Sequence, residues 1–133
     1  MNYKILIAAL AVILVAGCTA PSTTTNNQNP TVGIVNEKVF YTDSFFVMEN
    51  GKPRPQYSVK EMIVNKGDKV VVYVNTTTGT HDFNIDEFGV KVETPTGEVT
   101  KIEFIADKTG DFVYYCSKPN HRTNGHWGTL KVL

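Results

Sequence analysis

A chain of 133 residues has room for one domain with short appendages and hardly for two. Thirteen Lys and Arg balance thirteen Asp and Glu. No positive excess exists to displace phosphate counterions, which argues against nucleic acid as a partner. The two cysteines, Cys18 and Cys116, suffice arithmetically for one disulfide, but the first reads as part of an export signal.

That signal opens the chain. Met1 to Lys4 is a short polar start with a positive charge, and "ILIAALAVILVAG", residues 5–17, is a continuous apolar run. Thirteen residues fall short of the roughly 20 that span a bilayer but suit the apolar region of a signal peptide. The run ends in "VAGC", which resembles the lipobox of bacterial lipoproteins. The resemblance implies cleavage before Cys18 and lipid on that residue, which would anchor the protein to a membrane on its extracytoplasmic side. Residues 18–32 follow as a tether. "TAPSTTTNNQNPT" has no large apolar side chain, so it cannot offset the entropy of ordering. Its root-mean-square reach is about 20 Å.

From residue 33 to residue 133 the pattern is that of one domain with period two. "VFYTDSFFVM" is aromatic and β-branched, whereas "ENGKPRPQY", with Asn-Gly and two prolines, reads as turn and loop. "KEMIVNKGDKVVVYVNTT" predicts strand, turn and strand. "HDFNIDEFGVKV" begins another strand, and "GEVTKIEFIA" alternates Val99, Ile102 and Phe104 with polar residues. "DKTG" turns the chain, "DFVYYC" is a strand, and "WGTLKVL" closes the domain. Seven or eight short strands with no helical period outside the signal indicate an all-β, antiparallel sandwich.

"CSKPNHRTNGHWG" places Cys116, His121 and His126 at intervals of five, and His81 is the only other histidine. His81 falls at a strand end and the others in the loop after Cys116. Sequence-adjacent strands of a sandwich bring such ends to one pole. Turns through Pro119-Asn120 and Asn124-Gly125 would bend both loop histidines back toward the thiol. A thiolate with imidazoles suits copper or zinc, while calcium and magnesium prefer oxygen. Taken singly, Cys116 reads as a small buried hydrophobe, His121 as a solvated loop residue, and His126 as a neighbour packed beside Trp127. Asp86 and Glu87 read as surface charges. No nucleophile elbow or phosphate loop is present.

"NKGDKVVVYVNTT", "GTHDF" and "YYCSKPNHRTNGHWGTLKV" resemble the cupredoxins, the plastocyanin and azurin type of copper protein. "HDFNIDEFGVKVETPTGEVTKIEFIADKTGDFVYYC" is also similar to nitrosocyanin and to the copper domain of cytochrome oxidase subunit II. The resemblance implies a Greek-key sandwich in which His81, Cys116 and His121 match the three equatorial copper ligands. Two departures are visible. The oxidase domain has two cysteines in its loop for a dinuclear centre; Lys118, Pro119 and Asn120 offer none here, so one mononuclear copper is expected. Blue copper proteins place methionine where this chain has His126, and nitrosocyanin has glutamate where His81 stands.

The expected function is electron transfer. By resemblance, the redox donor and acceptor would dock near His121, with Pro119 and Trp127 lining the surface and Lys118 and Arg122 flanking it. Two other readings fit the residues: a small copper redox enzyme with an open coordination position, and a copper- or zinc-binding carrier.

Overall fold

The computed structural model describes residues 35–133; the export signal, Cys18 and the tether lie outside them. Asn50 and Gly51, at φ 51° and 72°, turn β1 (Glu37–Glu49) back into β2 (Lys52–Tyr57). Asn-Gly suits this turn because both positions need a positive φ to follow the twist of the flanking strands. The chain continues through β3 (Glu61–Val64), β4 (Lys69–Thr76), β5 (His81–Ile85), β6 (Val90–Thr94), β7 (Val99–Ile105), β8 (Gly110–Tyr115) and β9 (Trp127–Val132). One sheet has the order β2-β1-β4-β7, the other β3-β9-β8-β5-β6.

The expected all-β sandwich is present, with two differences. Nine strands occur among the described residues, and both sheets are mixed rather than antiparallel. β1 runs parallel to β4, and β3 parallel to β9. Alternation of apolar and polar residues reports which face of a strand is buried, not the direction of its partner. The extra strand is β2, expected as loop on account of Pro53 and Pro55. It lies at a sheet edge and pairs only with β1. Being two residues apart, both prolines turn their missing N–H to the same, open side, where no ladder bond is lost.

Val70, Val72 and Val74 of β4 pack with Phe83, Ile85, Tyr114 and Leu130 of the opposite sheet in one buried cluster that also contains Cys116. Each such apolar side chain contributes about 1.5–3 kcal/mol by leaving water. Gly128 faces Tyr114 across the β8–β9 ladder. A Cβ there would lie 2.2 Å from the tyrosine ring, so the last glycine of "GHWG" makes room for a core aromatic.

The order β9-β8-β5 positions the site. β8 is antiparallel to both neighbours. The start of β5, the end of β8 and the start of β9 therefore meet at one pole. Those three ends carry His81, Cys116 and His126.

Candidate metal centre

His81 opens β5 and is buried. Its Nε2 lies 2.8 Å from the carbonyl oxygen of Thr78. A carbonyl only accepts, so Nε2 carries the hydrogen and Nδ1 presents a lone pair. That Nδ1 points at Cys116 Sγ, 3.9 Å away, and at His121 Nδ1, 3.3 Å away. Gly79, at φ 83°, allows the tight approach: a Cβ there would lie 2.2 Å from the Phe46 ring and 2.9 Å from His81 Nε2. Phe46 of β1 packs against His81 and edge-on to His121. Its backbone N–H donates to Thr78 Oγ1, 3.0 Å away, so β1 braces the residue that orients His81.

The loop after Cys116 is folded by its own backbone. Cys116 N–H donates to the His126 carbonyl, His126 N–H to the His121 carbonyl, and His121 N–H to the Lys118 carbonyl, each at 3.0 Å. Asn120 takes φ 62°, and a 3-10 turn (Arg122–Asn124) ends at Gly125 with φ 102°. The turns expected at Pro119-Asn120 and Asn124-Gly125 are those that bend the histidines inward. His121 Nδ1 comes to 3.3 Å from Cys116 Sγ.

Side chains tie this loop to the sheets. The Asp82 carboxylate accepts from Ser117 N–H at 2.6 Å, from Ser117 Oγ at 2.5 Å and from Asn84 Nδ2 at 2.8 Å. Burial alone would raise the Asp82 pKa, but the Ser117 bonds outweigh it and hold the group below its ordinary value. Arg54 Nη1 donates to Asn124 Oδ1 at 2.8 Å, and Lys60 Nζ to the Gly125 carbonyl at 3.1 Å.

His126 is the most enclosed of the three imidazoles. It is fully buried, with Tyr57 at 4.1 Å between ring centroids and His81 edge-on at 4.5 Å. Its Nε2 lies 3.1 Å from Ser44 Oγ. Its Nδ1 is buried with no hydrogen-bond partner. Such an atom is rare and costly unless something satisfies it.

The structure thus brings His81, Cys116, His121 and His126 together, with one donor atom from each within 4.8 Å of the others. One ion bonded to nitrogen at about 2.0 Å and sulfur at about 2.3 Å would sit among such atoms, and the orphaned Nδ1 of His126 would gain a partner. A thiolate with three imidazoles fits copper or zinc and not the hard cations. Burial chiefly lowers the pKa of His81 and of His121. His126 is held down to about 3, by burial first and then by the two neighbouring imidazoles. All three rings are therefore neutral and able to ligate at neutral pH. Burial pushes the Cys116 thiol up to about 11, so an incoming cation must displace its proton.

Asp86 and Glu87 stay exposed, as expected of surface charges; Asp86 accepts from the Tyr115 hydroxyl at 3.0 Å. Cys18 lies outside the described residues. Sequence reasoning missed Asp82, Ser44, Thr78 and Phe46. "HDF" gave a weak signal for the first, an acid beside a ligand candidate, and nothing local marks the others.

A family model described as the periplasmic domain of cytochrome c oxidase subunit II matches residues 24–122. His81, Cys116 and His121 fall inside that match and His126 past its end. A nitrous-oxide reductase from Stutzerimonas stutzeri is 31% identical over 87 residues, covering 57% of this chain and 14% of that protein. A copper nitrite reductase and a blue copper oxidase, both from Nitrosomonas europaea, superpose with a TM-score of 0.62 at 20% identity. Each covers 73% of this chain, which spans 41% and 39% of theirs. At that identity the likeness shows the fold alone. The chain spans a small fraction of the nitrous-oxide reductase and less than half of each of these two solved structures.

Proposed function

The chain belongs to the family of the cytochrome c oxidase subunit II periplasmic domain, a cupredoxin-like copper domain, and on that premise we propose that it holds a single copper ion and transfers electrons one at a time. The observation that carries this reading is the convergence of one thiol and three imidazoles at the pole where β5, β8 and β9 meet. Lys118, Pro119 and Asn120 supply no second thiolate, which supports one ion rather than a dinuclear pair.

Copper held there supplies a one-electron couple. The chain supplies the rest. Three sheet strands and a hydrogen-bonded loop hold the donors in one arrangement, which limits the rearrangement between oxidation states. His81, Cys116 and His126 are 1% exposed or less, and that burial keeps bulk water from the donors. His121 alone is partly open, and it is the proposed contact for redox partners. Near it in the chain Pro119 is exposed, and Trp127, which lines a surface recess with Arg122, is 46% exposed. Lys118 pairs with Glu93 at 2.7 Å, and Arg122 lies over the Tyr115 ring at 4.3 Å. The proposed docking face is then less positive than its two cations alone imply.

The same reading assigns residues 1–17 to an export signal, residues 18–32 to a lipidated Cys18 and its tether, and residues 33–133 to the copper domain. The periplasmic family supports the extracytoplasmic location; the lipid anchor rests on the "VAGC" motif alone.

The test is the metal content and reductive titration of protein purified from the membrane of cells producing the full chain. One copper per chain, one electron per copper, and a strong visible thiolate band that Cys116→Ser abolishes are expected. Two coppers per chain would replace the single site with a dinuclear one, and one zinc would replace the electron carrier with a zinc-binding module. A spectrum perturbed by azide or nitrite would point to an open coordination position and an enzyme.

A further inference from the structure

Two buried imidazoles of the centre are oriented in different ways. His81 hands its Nε2 hydrogen to the backbone carbonyl of Thr78, an acceptor that no substitution removes. His126 depends on a side chain, the hydroxyl of Ser44, 82 positions earlier in the sequence. Ser44 is fully buried and held on both sides, opposite Tyr57 in β2 and Thr76 in β4. Its carbonyl also accepts from Thr77 N–H at 3.0 Å. The Ser44 backbone is therefore fixed, and its hydroxyl lies 3.1 Å from Nε2 of the His126 ring.

We infer that Ser44 is a positioning residue that sets the tautomer of His126 and so decides whether this ring serves as the fourth donor. A hydroxyl can donate to Nε2 or accept from it, but a hydrogen on Nδ1 would be buried without an acceptor. The hydrogen is therefore assigned to Nε2, with Ser44 Oγ as its acceptor, and Nδ1 carries the unpartnered lone pair. In the other tautomer Nδ1 carries a hydrogen, which has no acceptor there and blocks a cation. Residues that hold the second nitrogen of a ligating histidine fix its tautomer and raise its basicity in this way. The inference rests on the metal reading of the centre. It adds that β1, in the sheet opposite all four donors, controls one of them.

The test begins without metal. Nitrogen NMR of the metal-free full chain should find His126 in the Nε2–H form, and Ser44→Ala should populate the Nδ1–H form. In Cu(II) titrations Ser44→Ala should weaken affinity about 10–100-fold. It should also move the optical and electron paramagnetic resonance spectra toward those of His126→Met, and Ser44→Thr should restore both. Adding Ser44→Ala to His126→Met should change neither spectrum nor affinity further, which a general loss of packing would not reproduce. An Nδ1–H ring in the wild type would overturn the inference, as would an unchanged affinity and spectrum in Ser44→Ala. If Cu(II) binds through Cys116 but ignores Ser44, this inference alone fails. If Cys116→Ser leaves the Cu(II) spectrum intact, the reading of the centre fails, while the NMR result still reports whether Ser44 sets the ring.

Discussion

His81 and the loop from Cys116 to His126 reach the same point by opposite means. His81 is the first residue of a strand buried along its whole length, and its partner is a backbone carbonyl. The loop histidines stand on left-handed turns at Asn120 and Gly125, and the loop is attached to the sheets by Asp82, Arg54 and Lys60. The difference is one of vulnerability. The ring of the candidate on the strand is held by a bond every residue type can accept, whereas the loop, beyond its own backbone bonds, is attached to the rest of the fold by particular side chains that single substitutions remove.

Asp82 is where the comparison is easiest to break, because it belongs to β5 yet bonds the loop. Asp82→Ala removes the acceptor of both Ser117 donors and of Asn84. A hydrogen bond to a charged group is worth about 1.5–3 kcal/mol, and the bonds are not additive, so a loss of about 3 kcal/mol is expected in denaturant unfolding of the metal-free protein. Amide exchange should rise across residues 117–126 while β5 stays protected. Equal loosening of both would end the distinction.

Acid sharpens it. His126 is held near 3 in the fold against about 6.5 when unfolded. Between those values the unfolded chain binds the extra proton, so its stabilising contribution is complete above about pH 6.5 and declines as pH falls. The slope approaches at most about 1.4 kcal/mol per pH unit for one such histidine. Thermal midpoints of the metal-free protein should fall from pH 6.5 to pH 5, and His126→Met should flatten that fall. An unchanged slope in the variant would assign the acid sensitivity to other groups.

The smallest effect belongs to Arg54, whose guanidinium holds Asn124 from β2. Arg54→Ala should lower stability by about 1 kcal/mol and raise amide exchange near residue 124, with β5 unaffected. A larger loss in β5 than in the loop would contradict the division.

Much of this is legible in the sequence. Val70 to Val74 announce a buried strand, Asn50-Gly51 a turn, and the interval of five from Cys116 to His121 to His126 a candidate donor loop, because each is a pattern within about ten residues. β2 was misread for a physical reason. Prolines are forbidden in a central strand and harmless at an edge, and whether a strand is an edge depends on its neighbours. The parallel pairings of β1 with β4 and β3 with β9 were invisible on the same ground.

The sequence by itself therefore determined the β-class, the turns and which four side chains are candidates for holding a metal. Those follow from side-chain period, backbone conformational preference and ligand chemistry, all properties of short segments. Only the tertiary structure decided that Asp82 would clamp Ser117, that Thr78 and Ser44 would stand behind His81 and His126, and that Nδ1 of His126 would be left without a partner. Hydrogen bonds act over about 3 Å, and side chains up to 82 positions apart come that close only once both sheets have packed.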